Sequence, residues 1–151
     1  MLSNSAYALI APFLPLELSK EGVPLELFGY IFSMYSLAVI ICSPLIGYFL
    51  TQFKRRNFVQ FGLFTMGIAM FGFAYAKPLG KSYGGFLTIA FITRFIQGFS
   101  SSAIQTTCFS LSGLVYKEHQ TEVIASLEIA SGLGVTIAPV IGSLLYQIGG
   151  Y

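Results

Sequence analysis

GFLTIAFITRFIQGFSSSAIQTTCFSLSGLVY, residues 85–116, is the stretch that decides the fold. Arg94 is its one charged residue, in a run longer than the ~20 apolar residues that carry a helix across a bilayer. Backbone in hydrocarbon has no water to satisfy its N–H and C=O groups, so a run of this length is a helix. Because it exceeds one crossing, it must tilt or protrude. The rest of the 151 residues agrees: 55% are apolar, 9% are charged, and the mean hydropathy is +0.76. A soluble domain carries about 25% charged residues. In water such a chain would surface apolar area far beyond an ordinary patch. This excludes an ordinary soluble enzyme, a nucleic-acid-binding domain and a disordered tail.

The net charge of +2 is too small to call for a polyanionic partner, so no nucleic acid is expected. Cys42 and Cys108 lie inside apolar runs, lack metal-ligand spacing and read as small packing residues. No metal and no cofactor are expected. The N-terminus has no Lys or Arg ahead of its apolar run, and Pro12 and Pro15 interrupt that run, which argues against a cleavable signal peptide.

Five apolar windows predict five transmembrane helices, at about 2–18, 27–50, 58–76, 85–116 and 123–148. Charges collect between them: Glu17, Lys20, Glu21 and Glu26, then Lys54, Arg55 and Arg56, then Lys77 and Lys81, then Lys117, Glu118, His119 and Glu122. The short connections predict a compact all-α bundle of antiparallel neighbours. The tight Lys54-Arg55-Arg56 cluster places its loop, and with it the N-terminus, in the cytoplasm. These cations read as topology anchors.

Three stripes predict what the helices touch. In the fifth span Ser126, Ala130, Gly134, Ala138 and Gly142 recur every fourth residue and make one ridge of small side chains, with Pro139 bending it. Such ridges let backbones approach closely in a membrane, as a permanent contact or as a sliding one. In the fourth span Arg94, Gly98, Ser101, Gln105, Cys108 and Ser112 form a polar stripe, with Gln97 beside it. Arg94 is ~13 Å inside the span and Glu128 is ~8 Å inside the fifth; an ionised group at such depth faces a cavity or a partner. A link between the two, direct or through water, is one expectation. In the second span Gly29, Ser33, Ser36, Ser43 and Gly47 form a small-residue packing face, and the third span reads as a lipid-facing support helix.

The spans together resemble the N-terminal half of a major facilitator superfamily transporter. Arg94-Phe95-Ile96-Gln97-Gly98, followed by Ser100 to Ala103, is similar to the family's fourth-helix motif, Arg-x-x-Gln-Gly then small residues. Gly134 to Ser143 is similar to the fifth-helix antiporter motif Gly-x-x-x-Gly-Pro-x-x-Gly-Gly, with Ala138 and Ser143 replacing two glycines around Pro139 and Gly142. The loop between the second and third spans keeps only Gly47 and the basic pair Arg55-Arg56 of the family's pattern; Thr51, Gln52 and Lys54 stand where an acid, an Arg and a Gly are expected. Ala11-Pro12-Phe13-Leu14-Pro15, Leu127-Glu128 running into Gly132-Leu133-Gly134, and the ending Leu145 to Tyr151 are similar to the vesicular amine and polyamine transporters.

The resemblance implies five helices of a six-helix N-terminal bundle. It also implies alternating access between that bundle and a C-terminal six-helix half that is not in this chain, and proton-coupled antiport of an organic cation. Monoamine members carry an acid in the first helix, and by register on Pro12 and Pro15 that position is Asn4 here. The polyamine-type members also carry a glutamate corresponding to Glu128, which favours a polyamine or another organic cation. The implied substrate or proton-binding residues are Glu128, Arg94, Gln97 and Asn4, and the implied partners are a small cationic substrate, protons and membrane lipid. The implied location is a vesicle, vacuole or plasma membrane. A drug/proton antiporter of the same superfamily is a second reading. A third is a truncated, non-transporting scaffold or regulatory partner of a full-length transporter, since the five spans are expected of a fragment. No nucleophile–base pair or acid pair inside the spans points to an enzyme.

Overall fold

The computed structural model describes residues 4, 5, 8, 25–75 and 83–149. Four long helices follow one another: α1 (Leu25–Phe49), α2 (Arg55–Ala74), α3 (Tyr83–Val115) and α4 (Gln120–Gly149), and no strand occurs among the described residues. Asn4, Ser5 and Ala8 have helical backbone, and the remainder of the expected first span, 2–18, lies outside the described residues. The other expected spans correspond to α1 to α4, and each observed helix is long and apolar enough to cross a membrane.

Each helix begins two or three residues before its apolar window. The added residues at α2 and α4 are Arg55, Arg56, Asn57, Gln120, Thr121 and Glu122. Hydropathy marks the hydrocarbon slab, whereas the hydrogen-bonded turns continue into the headgroup layer where polar side chains are solvated. Lys54, in an extended conformation, caps α2 without a side-chain hydrogen bond, and the Asn57 amide bonds its carbonyl at 3.0 Å.

The longest helix, α3, has 33 residues and spans ~50 Å. It packs extensively on α1 and α2 and only sparsely on α4. Its polar stripe is the inside of the bundle: Thr93, Arg94, Gln97, Ser100, Ser101, Ser102, Thr107 and Ser112 are buried. The outside is apolar, with Tyr30, Ile40, Leu45, Phe64 and Phe71 exposed. That inverted pattern suits lipid, where apolar burial supplies little drive and helices associate through close packing and interhelical hydrogen bonds.

Three consecutive serines of α3 fasten different neighbours. Ser100 is 2.8 Å from the Thr65 hydroxyl of α2. Ser101 accepts from Tyr35 of α1 at 2.8 Å. Ser102 is 2.9 Å from Ser43 of α1; Ser43 donates its proton to the Val39 carbonyl, which leaves Ser102 as the donor. Interhelical hydrogen bonds of this kind average about 0.6 kcal/mol in membranes. Ser100→Ala with Ser102→Ala is therefore expected to lower stability by about 1–2 kcal/mol, since one contact to each of two helices is lost. Denaturant unfolding in micelles reads this; an unchanged midpoint would mean that these hydroxyls do not fasten the bundle.

Of the small-residue face expected for the second span only Ser43 reaches α3, through Ser102; the rest is not its packing face. Gly29 is exposed, a Cβ at Gly29 or Gly47 would meet open space, and Ser33 turns back to the Gly29 carbonyl at 2.8 Å. The seam with α3 is filled instead by Ile31, Tyr35, Ala38, Cys42, Ile46 and Leu50. The physical reason lies on α3, where Gly98 and Ser100 to Ala103 are already small. One small partner suffices for close approach, and the other must supply the bulk. In α2, Gly62, Met66, Ala69 and Phe73 pack inward and the remaining apolar surface faces outward, as for a support helix.

Candidate functional site

The polar stripe of α3 divides into two centres. The first is an arginine brace. Arg94 is fully buried and donates from Nη1 to the Gln97 side-chain oxygen at 2.9 Å, one helical turn away. Its guanidinium lies over the Phe32 ring of α1 at 4.7 Å and the Phe73 ring of α2 at 4.9 Å. Gln97 in turn donates to Met70 Sδ at 3.1 Å. A cation held between two desolvated aromatic faces gains about 2 kcal/mol from the ring quadrupoles. Arg94 and Gln97 thus tie three helices together and present no exposed face.

The second centre is a hydrogen-bonded relay beside a cavity of about 350 Å³ lined by Asn4, Tyr35, Ser36, Val39, Ile40, Gln105 and Val135. Gln105 donates from Nε2 to Asn4 Oδ1 at 2.6 Å and to Ser101 Oγ at 3.0 Å. Ser101 also accepts from Tyr35 at 2.8 Å. Helical spacing puts Ser101 and Gln105 on one face, four residues apart. Val135 brings α4 to the same cavity. Pro139, inside α4, has no N–H, so the Val135 carbonyl four residues earlier loses its helical donor. The walls are largely apolar with a few converging polar groups, the usual make-up of a small-molecule site.

Glu128 is exposed on α4. It precedes Val135 by two turns and so shares the helix face that meets the cavity. The expected link between Arg94 and Glu128 is overturned by register. The two helices join through residues 116–119, and so short a connection between long helices makes them antiparallel. Arg94 is ~32 Å from the Val115 end and Glu128 ~12 Å from the Gln120 end, leaving ~20 Å between their depths. Gln105, ~15 Å from the Val115 end, is the polar residue of α3 level with Glu128. The relay therefore unites Asn4, singled out by register, with Gln105 of the polar stripe. Tyr35 was missed as a site residue, since one tyrosine in an apolar run carries no signal until its partner across the helix pair is known.

Of the small ridge in α4, Gly134, Ala138 and Gly142 are buried within the chain, Ala130 is half-buried and Ser126 is exposed; Pro139 is half-buried. The ridge, expected as a permanent or a sliding contact, is thus covered within the chain over its C-terminal part. Of the basic pair, Arg55 donates from Nε to Ser110 Oγ at 3.3 Å, tying the start of α2 to α3, and Arg56 is exposed.

The family model described as Major Facilitator Superfamily matches residues 1–151. The chain is 30% identical over 147 residues to the MFS-type transporter SLC18B1 of Mus musculus, covering 96% of this chain and 31% of that protein. It is 33% identical over 125 residues to the vesicular acetylcholine transporter unc-17 of Caenorhabditis elegans, covering 81% of this chain and 22% of that protein. It is 27% identical over 148 residues to the multi-drug resistance efflux pump PmrA homolog of Lactococcus lactis, covering 95% and 35%. The chain thus spans about a third of the length of the curated relatives it matches. No solved structure matches it significantly.

Proposed function

The chain belongs to the Major Facilitator Superfamily, and from that premise we propose that it forms part of a secondary active transporter exchanging organic cations, polyamines among them, for protons. The observation that carries this reading is the cavity where Asn4, Gln105 and Val135 meet, with Glu128 on the same face of α4. An ionised Glu128 holds the amine, and a protonated Glu128 releases it. Because one carboxylate cannot hold both at once, the occupancy couples the two fluxes. Asn4, Gln105 and the Val135 carbonyl supply neutral acceptors for the rest of the substrate. Arg94 and Gln97 brace the helices behind the site. Sites of this type lie at the interface of two repeats that rock about them, and the exposed flank of α4 is the surface such a movement would use.

The test is uptake by proteoliposomes with an acidic interior, holding the protein expressed from its native reading frame. Polyamines are expected to accumulate, with accumulation lost when a protonophore collapses the gradient. Similarity to a multi-drug efflux pump favours drug/proton exchange as a second reading. Uptake of lipophilic drug cations in preference to polyamines would select it, and uptake of neither would overturn both. A vesicle, vacuole or plasma membrane suits either reading.

A further inference from the structure

The hydrogen bonds around Gln105 have a direction. Nε2 donates to both Asn4 and Ser101, so both hydrogens of the amide are engaged. Gln105 lines the cavity, and with its amino group engaged the acceptor it has to offer a ligand is the carbonyl oxygen Oε1. Ser101 Oγ receives two hydrogen bonds, from Gln105 and from Tyr35, which uses both of its lone pairs. The Tyr35 hydroxyl thereby holds Ser101 as an acceptor, and Ser101 holds the Gln105 amino group, which leaves Oε1 as the acceptor of Gln105. The Val135 carbonyl, freed by Pro139, is a second acceptor on an element that lines the same space.

Resting on the transporter reading above, we infer that Gln105, oriented by Ser101 and Tyr35, selects organic amines that bear N–H groups over quaternary ammonium ions. Primary and secondary ammonium groups donate N–H to Oε1. A quaternary ammonium has no N–H, and its methyl groups would shield the carbonyl oxygen from water without bonding it. A site built to hydrogen-bond a substrate group rejects the analogue that lacks it, because its own polar atom is then buried unpaired. Charge alone cannot make this distinction, since both ions are cations and Glu128 attracts both. Gln105 touches substrate in this scheme, whereas Ser101 and Tyr35 are positioning residues.

Butanediamine and its hexamethylated bis-quaternary analogue are the probes, taken up by the same proteoliposomes. Wild-type protein is expected to prefer the diamine by about tenfold or more. Gln105→Met, similar in shape but without the carbonyl, is expected to bring the preference within about threefold, chiefly by losing diamine uptake. Tyr35→Phe and Ser101→Ala are expected to give intermediate ratios. A merely structural defect would lower both uptakes together and leave the ratio unchanged, and that result at Gln105→Met would overturn the inference. A wild-type protein that moves both probes equally would overturn it while leaving the transporter reading intact. A wild-type protein that moves neither probe nor any polyamine would overturn both.

Discussion

Glu128→Gln is expected to abolish proton-driven polyamine uptake, lowering the initial rate by on the order of a hundredfold, with the protein still inserted and folded. The loss follows from the coupling role: glutamine keeps the shape and some hydrogen-bonding capacity but can neither hold an ammonium by charge nor take up a proton. Removing one partner of a charged hydrogen-bonded pair costs about 2–5 kcal/mol, and a hundredfold loss is about 2.7 kcal/mol, in the lower half of that range. Stability should be unaffected, because Glu128 is exposed and makes no ion pair among the described residues. Glu128→Asp restores the charge on a shorter stem and is expected to recover part of the activity. The readout is gradient-driven uptake, alongside equal reconstitution of wild type and variants. Wild-type uptake by Glu128→Gln would remove the residue from the mechanism and leave the cavity's neutral acceptors as the binding elements.

The site was legible in the sequence only in pieces, and the reason is geometric. Glu128 and Arg94 stood out because an ionisable group within an apolar run is costly wherever it faces. Within the apolar runs these two charges are the natural pair to join, yet Arg94 is buried and Glu128 is exposed. Depth along two antiparallel helices separates them by ~20 Å, and the same arithmetic sets Glu128 level with Gln105. Gln105 was visible as one member of a stripe, and Asn4 as one position in a register. Their hydrogen bond joins residues 101 positions apart, which no local pattern encodes.

The helices themselves were legible, because hydrocarbon permits a run of apolar residues few other conformations. Their faces were harder to read. In a soluble helix the apolar stripe marks the inside. Here apolar residues surround every helix, and the inside of α3 is its polar stripe. On α1, Gly29, Ser33 and Gly47 have the look of a packing surface, whereas the narrow partner in the seam is α3. Bulk from Tyr35 and Ile46 then fits where small residues were expected.

That seam has its narrowest point at Gly98, where replacement is expected to have the largest effect on folding. A Cβ there would collide with the Tyr35 backbone carbonyl oxygen and lie 2.7 Å from Ala38 Cβ. Neither obstacle can swing aside, so α1 must move off α3. Even Gly98→Ala is expected to cost about 3 kcal/mol, the upper end for overpacking, and Gly98→Val to leave little folded protein. Gly62 offers a graded comparison. Its added Cβ would meet Ile104 Cγ1 at 2.9 Å, which can rotate, and the Ser100 carbonyl at 3.2 Å, which cannot. About 1 kcal/mol is expected for Gly62→Ala. At Gly67 nothing lies within 4 Å, and alanine should be neutral or slightly stabilising through its better helix propensity. Denaturant unfolding in micelles should rank Gly98→Ala, Gly62→Ala and Gly67→Ala in that order of loss. Equal stability of the Gly98 and Gly67 variants would mean that α1 and α3 do not cross at Gly98. Function is tied to the same crossing. Tyr35 gives its backbone to the contact with Gly98 and its hydroxyl to Ser101, so the spacing that glycine permits is the spacing at which the relay to Gln105 and Asn4 can form. Gly98→Ala protein that survives extraction is therefore expected to lose the discrimination between diamine and quaternary probe along with its stability.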